Sequence, residues 1–215
     1  HDLSGKLAFV LGEKDKLTIS SYEGSDYLGL DDEFGLGWRN WISSAQWSRT
    51  SSERLFFDLQ AYHSRYNYRV EFDDPDTGFE WRNKLSETGL KAVWTYLPSD
   101  KFQSYWGFQN QLYHFAPIEL NPASDSSIEP ITTNPKNGLL NSAFIGATYE
   151  ITPKLSTEAG LRWGFFNQIG KGVEYIYEGN EVNPDARITD TLNYEAGENI
   201  KFYQGLEPRI AFRYL

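Results

Sequence analysis

The sequence contains no cysteine among its 215 residues, which excludes a disulfide framework, a thiolate metal site and a thiol nucleophile. Small secreted sandwiches often depend on disulfides, so their absence favours a closed or larger structure. The sequence has no apolar run of about 18 residues, which excludes a transmembrane helix. Its formal net charge of −10 argues against nucleic acid as a partner, because nucleic acids select basic surfaces.

The chain also shows no signal peptide and begins with His1, so we expect a mature product, a processed piece or a segment of something larger. What it has in abundance is aromatic residues, with 14 Tyr, 14 Phe and 7 Trp, and 18 glycines. A membrane-spanning β-strand is apolar on one face only, so a neutral average composition leaves a membrane barrel open.

Alternation of apolar and polar residues is the dominant pattern of the sequence. In the stretch LSTEAGLRWGFF the apolar set ends in Trp163 and Phe165, while the alternate set contains Glu158 and Arg162. A period of two indicates an extended strand with different environments on its two faces. No segment shows an apolar period of 3.6 residues with caps, so we predict almost no helix.

Nine strands are predicted, separated by short and long connections in strict alternation. Short turns of Gly, Pro, Ser and Asp are typical of hairpins, and the long connections are Glu23–Leu36, Phe72–Glu80, Ala116–Asn137 and Asn167–Gln204. The predicted strands are Leu3–Leu11, Lys16–Tyr22, Arg39–Arg49, Leu55–Val70, Trp81–Tyr96, Phe102–Phe115, Gly138–Ile151, Leu155–Phe166 and Gly205–Leu215.

Periodicity alone fits both a soluble sandwich and an outer-membrane barrel, because either buries one face of each strand. Three features favour the barrel: the alternation of short and long connections, strands longer than those of most globular proteins, and large aromatics near the strand ends. These aromatics suit a membrane interface, and they are Trp41, Trp47, Trp94, Tyr96, Phe102 and Tyr149. We therefore predict an all-β, antiparallel up-and-down transmembrane β-barrel.

Three stretches resemble TonB-dependent outer-membrane receptors of the Bacteroidetes type. GLEPRIAFRYL, at Gly205–Leu215, is similar to their GLEPR-x-x-x-RY strand. KDKLTISSYEGSDYLGLDDEFGLGWRN, at Lys14–Asn40, is similar to their DK-x-L strand and the loop after it. GLRWGFFNQIGKG, at Gly160–Gly172, resembles their GLR strand and loop. The resemblance covers most of the chain, in the right order.

The resemblance implies a plugged barrel of about 22 strands, of which residues 1–215 would supply about nine, without the plug or the remaining strands. It implies active import of a nutrient, such as a glycan, a peptide or a metal chelate, driven by the TonB complex acting on a plug outside this chain. It further implies a multi-pass location in the outer membrane, lipopolysaccharide as a neighbour and a surface lipoprotein lid as a partner. No enzyme activity, cofactor or nucleic acid partner is expected.

Five charged residues on the polar phase of the last two strands are candidates to face the lumen or a plug. Polar lumens are the rule in such barrels, so these charges also have the simpler role of satisfying one another and water. Arg209 and Arg213 are the best placed to hold a carboxylate of a plug. The candidates are Glu158, Arg162, Glu207, Arg209 and Arg213.

The connection Asn167–Gln204 combines rings and carboxylates, which suits capture of a sugar or a peptide. The alternative is that this loop packs on its neighbours or caps the barrel. The candidate ligand-binding residues are Tyr175, Tyr177, Glu178, Asn180 and Tyr194, with Glu174 beside them.

No metal site or catalytic group is predicted. The acidic stretches DDEFG and EFDDPDTG cluster oxygen ligands as calcium sites do, but the second lacks the spacing of a calcium loop and suits an acidic turn, and acidic runs are usually solvated. The histidines lie in separate regions, and only His63 or His114 beside Asp58 or a serine would suit a rim-located catalytic pair. Two alternatives stay open: a soluble β-sandwich that binds carbohydrate through exposed aromatics, and a small barrel enzyme with a tenth strand.

Overall fold

A computed structural model describes residues 1–30, 33–124, 126–179 and 187–215. These residues form twelve strands: β1 (Asp2–Val10), β2 (Asp15–Leu30), β3 (Phe34–Ser52), β4 (Leu55–Phe72), β5 (Phe79–Ser99), β6 (Phe102–Pro122), β7 (Ile131–Thr132), β8 (Lys136–Thr152), β9 (Leu155–Ile169), β10 (Gly172–Tyr177), β11 (Ile188–Tyr194) and β12 (Asn199–Tyr214). Within them, no helix is long and apolar enough to cross a membrane.

Nine of the strands form one continuous antiparallel sheet in the order β1-β2-β3-β4-β5-β6-β8-β9-β12, and β7 adds a short pairing to β6. Each strand neighbours the one before it along the path, as in an up-and-down meander. The all-β, up-and-down antiparallel fold and the nine predicted strands are therefore confirmed. In the described part of the chain β1 and β12 are the two edges of the sheet, and they do not pair with each other.

The connections distinguish the two ends of the sheet. Tight turns at residues 11–14, 53–54, 100–101 and 153–154 mark what we call the short-turn end. Residues 73–78 and the described parts of 123–135 and 170–198 lie at the opposite, long-loop end, and the last of these connections contains the hairpin β10–β11.

The first predicted long connection, Glu23–Leu36, is wrong. β2 continues to Leu30 and β3 begins at Phe34, paired from Asp15↔Arg49 to Leu30↔Phe34 without a break. The sequence pattern ends at Tyr22 because the two faces of the sheet exchange their chemical character there, as described below. An unbroken strand with reversed polarity therefore looks like a loop in the sequence.

One face of the sheet, here called the belt face, carries a continuous band of apolar side chains. Along one row, for example, Leu7 lies opposite Ile19, which in turn lies opposite Ala45. Its large side chains are exposed, and they include Leu3, Leu7, Phe9, Ile19, Leu90, Phe108, Leu112, Ile145, Leu161, Trp163, Leu206, Ile210 and Phe212.

Aromatic rings border this band near the short-turn end. Trp47, Phe57, Trp94 and Phe108 form a chain of ring contacts across four strands, with centroid separations of 5.6, 4.8 and 6.0 Å. The Trp47 indole donates to Asp15 Oδ1 at 2.9 Å, so its ring lies on the apolar band while its N–H reaches a charged group. Such amphipathic placement is typical of a membrane–water interface.

The other face, here called the glutamine face, is polar along the same segment of the strands. Gln46 lies opposite Gln60, and Gln109 and Gln111 follow on β6. Gln111 Nε2 donates to Glu87 Oε1 at 2.6 Å and to Tyr113 Oη at 2.9 Å. This face is therefore linked by hydrogen bonds between side chains of adjacent strands.

The sheet has no second layer to enclose a core. Among the described residues, Ala92 is the one buried hydrophobic side chain, at 1% exposure. A soluble sandwich requires two stacked sheets with a shared apolar interior, and here the second sheet is only the hairpin β10–β11. The sandwich alternative is therefore not the fold that is observed.

Aromatic rings on the glutamine face lie over glycines of the next strand. A Cβ at Gly89 would overlap the ring of Tyr62, and a Cβ at Gly146 would overlap that of Tyr105. At Gly164, by contrast, the nearest atom would be Glu207 Oε1 at 3.9 Å. The covered glycines hold the rings flat against the backbone, so their substitution requires the ring to move.

We predict that Gly89→Ala lowers the free energy of unfolding of the intact protein that carries this chain by about 1–3 kcal/mol, because the added methyl overpacks against Tyr62. Gly164→Ala is the matched control, since its methyl meets open space. Urea titration in lipid vesicles measures both. Equal midpoints for Gly89→Ala and the parent protein would contradict the packing described.

Candidate functional site

The two faces exchange their chemical character towards the long-loop end. On the belt face the apolar band gives way to charged side chains, which include Glu23, Arg39, Arg65, Arg69, Glu71, Arg82, Lys84 and Glu119. On the glutamine face, aromatic side chains replace the amides over the same rows. The boundary lies near Tyr22 and Asn40, so the strands project beyond the apolar band by several residues.

A basic depression of about 770 Å³ lies on the belt face above the band. Its lining includes Arg39, Arg69, Arg82 and Lys84, together with Tyr27, whose ring lies 6.0 Å from the Arg69 guanidinium carbon. The depression therefore combines the ring of Tyr27 with four cations, each of which has a carboxylate beside it.

Carboxylates at the edge of the basic depression pair with each of its cations. Arg69 Nη1 lies 3.0 Å from Glu71 Oε1, and Lys84 Nζ lies 3.1 Å from Glu119 Oε2, while Arg39 pairs with Glu23 and Arg82 with Glu80. The hydrogen bond from Lys84 holds the pKa of Glu119 below its ordinary value. All these pairs are at least partly exposed, so solvent screens them and each adds little to stability.

The five predicted lumen-facing charges share one face. Arg162 lies directly opposite Glu207, Gly160 opposite Arg209, and Ser156 opposite Arg213. Glu158 accepts a hydrogen bond from Tyr105 Oη at 3.3 Å, and Arg209 donates to Glu207 Oε2 at 3.3 Å. The Arg162 Nε atom is buried and has no hydrogen-bond partner in the described part of the chain. Their role in holding a plug stays a prediction.

The predicted ligand-binding residues fall on the hairpin β10–β11, and the structure divides them between its two faces. Tyr175 and Tyr177 are about half exposed on one side, while Tyr194 lies on the other, where its hydroxyl donates to Glu174 Oε2 at 3.1 Å. The Glu178 backbone N–H donates to Arg187 O at 2.8 Å. Asn180 lies outside the described residues.

Glu174 also ties the hairpin to the main sheet. Lys201 Nζ, on β12, lies 2.9 Å from Glu174 Oε1. The hydrogen bonds from Lys201 and then from Tyr194 lower the pKa of Glu174. The Lys201–Glu174 ion pair therefore links the hairpin to β12, while the Tyr194 hydroxyl joins the two strands of the hairpin to each other.

Neither histidine lies in a catalytic arrangement. His63 Nδ1 is 2.7 Å from Thr88 Oγ1, and the His63 ring is tilted by 59° to the ring of Trp41, with 5.7 Å between the centroids. His114 Nδ1 is 2.8 Å from Asn137 Oδ1. Among the described residues no group of three or more His, Asp or Glu side chains is placed to hold a metal ion. Asp31 and Asp32 of the stretch DDEFG lie outside the described residues.

The acidic stretch EFDDPDTG forms a turn. Asp74 Oδ1 accepts from the Thr77 backbone N–H at 2.7 Å, from Thr77 Oγ1 at 2.7 Å and from the Asp76 backbone N–H at 3.0 Å. The Thr77 hydroxyl and backbone hydrogen bonds hold the pKa of Asp74 below its ordinary value. This carboxylate is used to close the turn, as Asp does in many loops.

Solved structures with a similar fold include a transporter and several receptors. The chain is similar to the copper transporter OprC, with a TM-score of 0.65, 10% identity and coverage of 99% of this chain and 33% of that one. It is also similar to BauA, the ferric preacinetobactin receptor from Acinetobacter baumannii, with a TM-score of 0.60, 9% identity and coverage of 98% of this chain and 37% of that one. A third similar structure is a double mutant of the Serratia marcescens hemophore receptor HasR, solved with its hemophore HasA and heme. Its TM-score is 0.60 and its identity 14%, and the match covers 99% of this chain and 32% of that one.

The chain thus spans about a third of the length of these structures, and at such identities the likeness establishes the fold. These neighbours are transporters and receptors rather than enzymes. No protein-family model matches the sequence, and no curated protein matches it.

Two groups of residues were missed by the sequence reasoning. One group is the cations of the basic depression, and the other is the aromatic side chains on the opposite face, including Trp38 and Trp81. Both lie where the apolar and polar faces of the sheet change places, so the alternation used to predict the strands does not identify them. The available signal was the spacing of two between Trp38 and Asn40, between Tyr66 and Tyr68, and between Trp81 and Asn83. Such spacing places each pair on one face of a strand.

We predict that Glu174→Gln loosens the hairpin β10–β11 at neutral pH, because Lys201 loses its charged partner. Since the pKa of Glu174 is lowered in the folded state, its contribution is present above the unfolded value of about 4.3 and is lost as pH falls through the folded value. A spin label on Ile176→Cys should report greater mobility in the variant at pH 7 and equal mobility in both proteins at low pH.

Glu178→Gln is the control for this measurement, since Glu178 forms no ion pair with the described residues. Unchanged label mobility in Glu174→Gln at pH 7 would show that the ion pair does not position the hairpin.

Proposed function

We propose that this chain is part of the barrel wall of a TonB-dependent outer-membrane receptor that imports a nutrient. The observation that carries the proposal is the exposed apolar band on one face of a single-layer sheet, bordered by aromatic rings. Lipid is the environment that such a band requires, since large apolar surfaces in water are costly. The similarity in fold to transporters and receptors supports the same conclusion.

In this proposal residues 1–215 supply nine strands of a larger barrel of the Bacteroidetes type, and strands from elsewhere pair with β1 and β12. A plug outside these residues would occupy the lumen and receive energy from the TonB complex. The glutamine face would line the lumen, where Glu158, Arg162, Glu207, Arg209 and Arg213 could contact the plug. The long-loop end would face the cell exterior, with the hairpin β10–β11 beside the ligand path.

The basic depression supports lipopolysaccharide as a neighbour. Arg39, Arg69, Arg82 and Lys84 lie on the belt face directly above the apolar band, at the level where lipid phosphates meet the barrel surface. A nearby surface lipoprotein lid remains part of the proposal through the family resemblance alone. The ligand is a nutrient such as a glycan, a peptide or a metal chelate.

We predict that Leu161→Arg costs about 2–4 kcal/mol and blocks membrane assembly, because it places a charge in the apolar band near mid-membrane. Thr148→Arg is the matched control: it lies on the glutamine face opposite Glu158 and should assemble normally. Assembly is measured by heat-modifiable migration of the outer-membrane fraction on gels. Equal assembly of the two variants would contradict a lipid-facing belt.

The intact mass of the native polypeptide in a detergent-extracted outer-membrane fraction tests the proposal as a whole. We expect a mass several times 24.8 kDa, because the remaining strands and the plug belong to the same receptor. A mass near 24.8 kDa in that fraction would instead indicate a barrel completed by another chain. Recovery of these peptides only from the soluble fraction would refute the membrane location.

A further inference from the structure

A platform of aromatic and amide side chains lies on the glutamine face at the long-loop end. On adjacent strands Trp38 lies opposite Tyr68, which lies opposite Asn83, and one row lower Asn40 lies opposite Tyr66. Tyr66 in turn lies opposite Leu85. The platform consists of Trp38, Asn40, Tyr66, Tyr68, Trp81, Asn83 and Leu85.

These rings are exposed at a level where no membrane would cover them. Trp38 and Trp81 are each 37% exposed and Tyr66 is 41% exposed. The same rows of the belt face carry the charged side chains of the basic depression, so this part of the sheet lies beyond the apolar band. Exposed rings in a watery setting, on the face that is otherwise lined by amides, indicate a surface that a ligand covers.

The chemistry of the platform favours a ligand with alternating apolar and hydroxyl surface. The Trp81 indole donates to Asn83 Oδ1 at 3.2 Å, which fixes the ring. The Asn83 amide nitrogen adds two N–H donors to the platform. Rings offer flat faces for the C–H groups of a sugar, and amides donate to and accept from its hydroxyls.

The platform lacks charged side chains, so a strongly ionic ligand is not its best match. None of the platform side chains is charged, and the neighbouring cations Arg39, Arg69 and Arg82 belong to the other face. At the β2 border, Asp26 lies opposite Trp38. A carboxylate in this position repels anions and accepts hydrogen bonds from hydroxyl groups.

The dimensions fit several sugar units. The platform crosses three strands spaced about 4.8 Å apart, and its rows lie about 6.6 Å apart along each strand. We propose that this platform is a binding subsite for neutral linear oligosaccharides, with Trp38 and Trp81 as the stacking surfaces and Asn40 and Asn83 as the hydroxyl partners. The inference rests on the proposed function and narrows its substrate class.

The test uses the intact receptor in detergent and a panel of neutral linear oligosaccharides of several linkages, with binding followed by titration calorimetry. At least one panel member should bind, and Trp38→Ala or Trp81→Ala should weaken it by about tenfold or more, since each removes a stacking ring. Trp163→Ala is the control, because this ring is also partly exposed, at 48%, but lies on the belt face; it should leave the affinity unchanged.

Asn83→Ala separates sugar recognition from simple apolar contact. It should weaken oligosaccharide binding several-fold while leaving the heat-modifiable migration of the barrel intact. Failure of every panel member to bind overturns the proposal, as does binding that neither Trp38→Ala nor Trp81→Ala affects. Binding of an aromatic iron chelate that depends on the same tryptophans, without oligosaccharide binding, would also overturn it.

These outcomes are distinct from failure of the proposed function, which is decided by fractionation. A protein recovered from the outer membrane as a large polypeptide, but binding no panel member, would refute the sugar subsite alone.

Discussion

An apolar band with no protein packed against it is the constraint on which the rest of this structure depends. Large side chains such as Leu161, Trp163 and Phe212 stay exposed on one face, and the sheet encloses almost no core of its own. Burial of apolar surface supplies most of the stability of a folded protein, so here that burial must come from outside the described residues. In the proposed receptor a bilayer covers this band, and hydrocarbon requires the backbone groups of the strands to be paired with one another.

The extent of the band also fixes the geometry of function. Where it ends, the belt face becomes charged and the glutamine face becomes aromatic, although the strands continue without interruption. In the proposed receptor the same β-strands act in two environments: below the boundary they separate lipid from a polar interior, and above it they separate the basic depression from the aromatic platform. Ligand-facing and membrane-facing chemistry would then be built on one sheet, and the hairpin β10–β11 is linked to that sheet through Glu174 and Lys201.

The parts of the fold that could be predicted from the sequence are those in which apolar residues stay on the same face of the strand throughout. All nine strands of the main sheet were recovered, because the band and the amides alternate regularly from Leu3 to Phe212. The continuation of β2 and β3 past Tyr22 was missed, because the reversal of polarity imitates a loop. The five charges on β9 and β12 share a face, as the period of two requires, and their role facing a lumen or a plug stays a prediction. Their pairing, and the contact of Lys201 with Glu174, depend on cross-strand register, which one sequence does not specify.

Cysteine scanning of β9 tests whether lipid covers the belt face and water reaches the glutamine face. The sequence contains no cysteine, so spin labels introduced singly from Glu158 to Trp163 report individual positions of this strand in reconstituted vesicles. We expect the accessibility of the labels to alternate along the strand, so that oxygen dissolved in lipid reaches Ala159, Leu161 and Trp163. Glu158, Gly160 and Arg162 should be reached preferentially by a water-soluble nickel chelate. Protection of Leu161 and Trp163 from both reagents, as in a dry protein core, would contradict a lipid-covered belt face.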